Sequence, residues 1–354
     1  MVSLRPVQSA SAGHRPRGVR GRVALAATLL FSSLGLQACF GPDEAVVAFL
    51  LASEQAERWT SVDEPVFAER LEEVCDGCSY LTYNAGQSAE TQAEQFEQAI
   101  DDGADVVVLN AVDAERAAEL VSDTDVPVIA YDRFVEGAAR YVAADPGATG
   151  RVMASTLVRA VGKGSRALFI SGARGDENAT EITREAEAVL RENGVEVIDT
   201  LTPSSWSKDA AKKFVLDNRD RIGEVDAVFA SNDTQAAGVV EALRELKVSD
   251  WPFVTGQDAE LSAVRRVVVG TQGMTVYKQI RTLAERAADM AVDLMADEQT
   301  EGLTDHRGVP SVILEPAAVT RTTVAGTVVR DGVYTIEQIC EGETARACTK
   351  LGLY

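Results

Sequence analysis

The sequence predicts an α/β chain folded as two doubly wound parallel-sheet lobes. Three observations carry that reading. Short apolar runs alternate with amphipathic helical stretches, the pattern of a parallel sheet covered by helices on both faces. The alternation restarts near Asp145. A chain of 354 residues also exceeds what one hydrophobic core usually serves.

Residues 1–39 contain Arg5, Arg15, Arg17, Arg20 and Arg22 with no acid, then an apolar run over 23–36 that is too short to span a bilayer comfortably. This reads as an export leader, residues 1–38. It ends in Leu36-Gln37-Ala38-Cys39, which resembles a bacterial lipobox, with the Cys39 thiol as the acceptor of a diacylglycerol thioether. Two acyl chains suffice for lasting attachment. The expectation is an extracytoplasmic chain that meets the membrane only through Cys39.

In the first lobe, 45–51, 80–83, 106–109 and 126–130 read as strands, and 65–74 and 89–101 as helices. In the second, strands are expected over 166–170, 195–199, 227–230 and 253–255. Helices are expected over 149–161, 180–193, 208–219, 234–246 and 259–267. Gly162-Lys163-Gly164-Ser165-Arg166-Ala167 mimics a dinucleotide fingerprint but precedes its strand, so it reads as a helix-ending turn. A helix over 279–296 returns the chain to the first lobe, and a further crossing is expected near Pro310. The lobes are thus assigned 39–142 with 273–308, and 143–272 with 309–335, joined by three crossing strands; 336–354 forms a tail.

Composition excludes several functions. Loss of the leader and its five arginines takes the formal charge from −21 to −26, which repels phosphate backbones and argues against nucleic-acid binding. His14 leaves with the leader, so a histidine-dependent nucleophile would need His306, whose neighbours have no nucleophile character. One histidine and scattered cysteines give no metal-ligand spacing, and no cofactor is expected. Cys75 with Cys78 and Cys340 with Cys348 read first as disulfides in an exported protein, although sequence alone allows other pairings. Cys75-Asp76-Gly77-Cys78 could be a redox motif, but it precedes a strand and does not open a helix.

The polar clusters fall where strands end. Arg58 and Trp59 follow the first strand, Asn84 the second; Asn110 ends the third, and Asp132-Arg133 the fourth. In the second lobe the corresponding positions are Asp176, Asn178, Trp206, Asn232 and Asp258, and Lys278 follows the apolar run 274–277. Open α/β sheets bind ligands at such ends. Asp and Asn can each engage a pair of neighbouring hydroxyls, Arg133 offers a rigid fork of donors, and Trp59 and Trp206 fit as flat plates against the C–H faces of a pyranose. The chemistry suits a polyol.

Ser231-Asn232-Asp233, Gly256-Gln257-Asp258-Ala259 and Thr275-Val276-Tyr277-Lys278, with Glu57-Arg58-Trp59 and Ala130-Tyr131-Asp132-Arg133, resemble the sugar-binding proteins of bacterial ABC importers, most closely those for D-xylose. The likeness runs from about Val46 to Val319. It implies a type I periplasmic binding protein with a three-strand hinge, working as a monomer with a membrane permease. It also implies sugar-contacting roles for Arg58, Trp59, Asp132, Arg133, Asp176, Asn178, Trp206, Asn232, Asp258 and Lys278. The sequence departs from it at Leu50-Leu51-Ala52-Ser53 and at Glu177, which bears on the choice among xylose, glucose, galactose, arabinose or a furanosyl signal.

Other readings remain open at this point. Asp132 and Asp258 could cap helices, the tryptophans could be core, Arg58 could make a surface ion pair, and Lys278 could be a strut between lobes. An exported carbohydrate-active enzyme would use Asp132 and Asp258 as its carboxylate pair. A transcriptional regulator with these lobes would need a helix-turn-helix where residues 1–39 offer a leader instead.

Overall fold

A computed structural model describes residues 45–54 and 56–354. The leader and Cys39 lie outside the described residues. The first lobe runs β1 (Val46–Leu51), α1 (Glu64–Val74), β2 (Ser79–Asn84), α2 (Ala89–Asp101), β3 (Val106–Leu109), α3 (Ala114–Ser122), β4 (Val128–Tyr131) and β5 (Arg140–Ala144). The second runs α4 (Pro146–Val161), β6 (Arg166–Ile170), α5 (Glu177–Glu192), β7 (Glu196–Leu201), α6 (Lys208–Asp217), β8 (Ala227–Ala230), α7 (Asp233–Glu245), β9 (Phe253–Val254) and α8 (Leu261–Val269). Then follow β10 (Thr275–Tyr277), α9 (Ile280–Met295), β11 (Thr304–His306), β12 (Val309–Leu314), β13 (Ala317–Val319), α10 (Ile336–Ile339) and α11 (Ala345–Leu351).

The first sheet has the order β11-β12-β5-β4-β3-β1-β2, parallel except for β11, and the second has the order β7-β6-β8-β9, all parallel. Both faces are covered. Val47, Phe49 and Leu51 of β1 pack in the core shared with α1 and α9, while Ala48 and Leu50 point to the opposite core with α2 and α3. That division follows the two-residue period of a strand. Helix starts are equally local: the side chains of Ser88, Asp113, Asp145, Asp176, Ser207 and Asn232 each accept from a backbone N–H three residues on. Gly162, with φ 84°, ends α4 and confirms the turn expected there.

Two expectations fail. The strand β5 was not anticipated, because β4 and β5 are parallel neighbours joined without a helix. The assignment of 309–335 to the second lobe is also wrong at its start, since β12 pairs with β5 in the first sheet. Arg307 (φ 56°) and Gly308 (φ 86°) form a two-residue hairpin turn between β11 and β12, so the chain stays in the first lobe through Leu314. It crosses only at Glu315-Pro316. The ribbon of β10 and β13 then lies between lobes, with Val276 in a second-lobe core and Tyr277 in a first-lobe one.

Cys75 is bonded to Cys78, and Cys340 to Cys348. The tail that holds the second bridge lies on α8, where the Arg265 guanidinium donates to the Gln338 carbonyl at 3.0 Å. Ile339, Cys340 and Cys348 join the same apolar cluster as α1 and α9, so the tail spans both lobes.

Candidate ligand-binding site

Loops from the C-terminal ends of both sheets enclose a cavity of about 160 Å³ between the lobes. Trp59, Gln87, Asp113, Asp132 and Arg133 reach it from the first lobe, and Asp176, Asn178, Trp206, Asn232, Gln257 and Asp258 from the second. Lys278, just past β10, completes the wall. Nine of the ten sequence-predicted contact residues therefore meet in one place.

Arg58 does not. Its side chain has no exposure and lies behind the cavity. There it pairs with both Asp63 oxygens, one of them at 2.9 Å, and with Asp132 and Asp258 at 3.2 and 3.5 Å. Its guanidinium also stacks 4.1 Å above the Trp59 ring. Neither a sugar contact nor a surface ion pair, it is a buried counter-ion that positions two acids. Asp63 in turn accepts from the Tyr131 hydroxyl. Burial pushes the Asp63 carboxyl up, while Arg58 and the Tyr131 hydroxyl pull it back down.

Lys278 holds the same two acids from the cavity side, 3.1 Å from Asp132 Oδ1 and 2.9 Å from Asp258 Oδ1. It is a strut and a lining residue at once. Burial alone would raise the Asp132 carboxyl, but Lys278, Arg58 and Arg133 hold it well below the usual carboxylate range. With Oδ1 committed, each acid has Oδ2, which has no partner among the described residues, to offer a hydroxyl. Neither acid caps a helix. Both sit instead at positive φ, 62° for Asp132 and 98° for Asp258, a costly backbone region that clusters at ligand clamps.

Of the predicted contact residues, the helix caps are Asp176 and Asn232. Both oxygens of Asp176 are engaged, because Oδ1 caps α5 while Oδ2 accepts from the Trp206 indole at 2.9 Å and pairs with Arg133 at 3.0 Å. Its task is to orient Trp206 and Arg133. A Cβ on Gly172 would lie 2.3 Å from the Trp206 ring, so glycine makes the space for that plate. Asn232 spends Oδ1 on its cap and has its amide N–H₂ to offer. Asn178 donates across the cleft to the Asp132 carbonyl at 2.7 Å. Asn84 and Asn110 do not line the cavity; Asn110 ties strand ends together by accepting from Ala52 N and donating to the Tyr131 carbonyl at 3.0 Å.

Beneath Asp258 lies a layer that sequence reasoning missed. Asp233, inside the quoted Ser231-Asn232-Asp233, accepts from Gln272 at 2.7 Å, Thr275 at 2.8 Å and the Glu260 backbone at 3.1 Å. Burial first, then Asp258, pushes its carboxyl up to about 7, against the pull of Arg266. A Cβ on Gly256 would stand 2.1 Å from Asp233, which fixes glycine ahead of Gln257-Asp258. Glu260 reaches the other lobe, accepting from Glu57 N at 3.1 Å. Asp63 and Asp233 gave no signal beyond being acids near quoted motifs; full burial is what distinguishes them. Among the described residues no group of acids, histidines and cysteines is arranged to hold a metal ion.

Comparisons with known proteins agree with this arrangement. Residues 47–299 match the model of the periplasmic binding protein domain. The D-xylose-binding periplasmic proteins of Haemophilus influenzae and Escherichia coli are each 30% identical, over 80% and 88% of this chain and 88% and 96% of their own. A carbohydrate transporter solute-binding protein from Chloroflexus aurantiacus, solved with D-glucose, superposes with a TM-score of 0.74 at 27% identity, covering 82% of this chain and 97% of that one. The two-lobed fold, the cavity at the strand ends and a family match over most of the sequence lead to one conclusion: this chain belongs to the periplasmic binding protein family.

Proposed function

We propose that the protein is the extracytoplasmic receptor of an ABC importer, closing on one monosaccharide and delivering it unchanged to a permease. D-xylose is the ligand the reading favours. The observation that carries it is the cavity: two tryptophans, one from each lobe, with Asp132, Asp258, Arg133 and Asn232 offering donors and acceptors around them. At roughly 10–15 Å³ per water-sized occupant the enclosed space holds on the order of ten heavy atoms, the size of a pentose. A micromolar ligand of that size needs about −0.8 kcal/mol per heavy atom, within reach of a fully enclosed site.

The relatives support the sugar class, and their names support xylose. The glucose-bound neighbour supports a second reading, a hexose receptor. Hydrolysis is disfavoured by the site itself. A glycosidase needs one carboxyl kept protonated, whereas Asp132 is held ionised and both acids share one ammonium. In the same proposal Cys39 tethers the receptor, which acts as a monomer; the ten residues carried by the resemblance keep their roles, except that Arg58 acts through Asp132 and Asp258, and Asp176 through Trp206 and Arg133.

Calorimetric titration with pentoses and hexoses tests the proposal. The expected result is a dissociation constant of about a micromolar or tighter for xylose, weaker binding of glucose, and recovery of the sugar unchanged. Tighter binding of glucose moves the assignment to the second reading. Failure of every monosaccharide to bind overturns both.

A further inference from the structure

The loop after β9 and the segment after β1 exchange helix caps across the cleft. Glu260 stands at the N-cap position of α8, yet its side chain does not cap that helix. Its Oε1 reaches the first lobe instead and accepts from the Glu57 backbone N–H at 3.1 Å, just before the helical turn Trp59–Asp63. Glu57 returns the contact, its Oε2 accepting from the Ser262 N–H in the first turn of α8 at 3.4 Å. Backbone N–H groups at a helix start have no partner within the helix, so each glutamate satisfies a donor that the opposite lobe leaves over. The exchange needs both lobes in place.

The same contact gathers groups of one sign. Glu260 is 4% exposed. It faces Glu57 from the first lobe, Asp233 from α7 and Asp258 from its own loop, with the Arg266 guanidinium of α8 as the opposing cation. Arg266 is divided, donating to Gln272 and to the Asp233 carbonyl, both at 2.9 Å, and Lys278 and Arg58 pair with Asp258 from the other side. The Thr234 hydroxyl donates to Glu260 Oε1 at 3.3 Å, and Tyr334 of the tail brings its phenol near Glu57, Glu260 and Asp233. Burial first, then Asp233 and Asp258, pushes the Glu260 carboxyl well above the usual range; Glu57 adds to the push and Arg266 opposes it. A proton on Oε2 relieves the repulsion and leaves Oε1 able to accept from the other lobe.

We propose that Glu57 and Glu260 are positioning residues that clasp the two lobes in the closed form, and that closing on the sugar takes up a proton from solvent onto Glu260. This rests on the monosaccharide reading above. Neither glutamate lines the cavity, so both act through closure and not through contact with the ligand. Opening carries Glu57 away and admits water to Glu260, which returns its carboxyl toward the ordinary range and releases the proton. The form that holds the proton more tightly is favoured at low pH, and here that is the closed one. Sugar affinity therefore falls as the pH rises above about 5, where an ordinary glutamate is already ionised.

Calorimetric titration with the best monosaccharide at pH 5.5 and pH 8, each in two buffers of different ionisation enthalpy, reads affinity and proton uptake together. The parent protein should bind about five-fold or more tightly at pH 5.5 and take up protons from the buffer on binding. Glu260→Gln keeps an acceptor for the Glu57 N–H and imitates the protonated form. At pH 8 it should bind at least as tightly as the parent does there, and it should lose most of the pH dependence and of the proton uptake. A contact that is only structural gives the reverse, weaker binding with the pH dependence intact, and overturns the proposal. Glu57→Gln keeps an acceptor for the Ser262 N–H, should shrink both effects, and decides the matter should Glu260→Gln fail to fold. Equal parent affinities at the two pH values, or a pH dependence that Glu260→Gln retains and Asp233→Asn abolishes, also overturn the proposal and leave the receptor reading intact. A parent protein that binds no monosaccharide overturns the receptor reading and this proposal with it.

Discussion

Asp233 shows at the scale of one residue how the site is supported from below. It is fully buried, and three donors converge on it while Asp258 and Glu260 crowd it with like charge. Because its folded-state value, about 7, lies above that of an unfolded aspartate, it contributes stability below about pH 4 that is lost as the pH rises through about 7. Asp233→Asn removes that titration. The melting temperature of the ligand-free parent, taken relative to this variant, should therefore be highest at about pH 4, fall toward about pH 7 and level off above it; a difference constant between those two values contradicts the assignment. The sequence exposed the acids that line the cavity through their motifs, but not which acid sits under which. Arg58 shows the same limit: its motif was legible, while its depth depends on the helical turn Trp59–Asp63 that brings Asp63 back onto it.

Elements were legible wherever local chemistry sets their ends. The helix α2 starts at its Ser88 cap and α4 stops at Gly162, both readable without a fold. Strands that depend on distant pairing were not, as β5 and the β11–β12 hairpin show. Close helix packing is likewise invisible in one sequence: a Cβ on Gly238 of α7 would lie 2.1 Å from the Lys208 carbonyl in the first turn of α6. Trp206 stands two residues before α6, so the contact seats the helix that carries a wall of the cavity. Gly238→Ala should cost about 1–3 kcal/mol of stability through overpacking. It should also weaken sugar affinity several-fold although Gly238 does not line the cavity. Unfolding in urea and calorimetric titration measure the two effects, and lowered stability with unchanged affinity would show that α6 does not position Trp206.

Across the whole molecule, the bonds between lobes differ in depth. Lys278 joins Asp132 to Asp258, Asn178 reaches the Asp132 carbonyl, and Arg133 pairs with Asp176, all of them at the ligand cavity. Glu57 meets Glu260 at the margin. At the rim, Arg307 of the β11–β12 turn pairs with Glu177 of α5, with side-chain exposures of 51% and 35%. A ligand shifts closure only by its differential affinity for the closed form. Neither residue of the rim pair lines the cavity, so the pair acts on the open–closed balance alone, and exposed pairs contribute about 0.2–1 kcal/mol. Arg307 also stacks on Phe134, at 4.1 Å, so replacing it would disturb packing, whereas Glu177→Gln removes the charge and leaves that contact. In stopped-flow measurements Glu177→Gln should therefore speed sugar release by a factor of about 1.5 to 5 with little change in association rate. The difference should shrink in 1 M salt, where the Debye length is about 3 Å. A release rate equal to the parent's at low salt would mean that the rim pair forms without holding the cleft shut, and that closure is held by the contacts around the cavity.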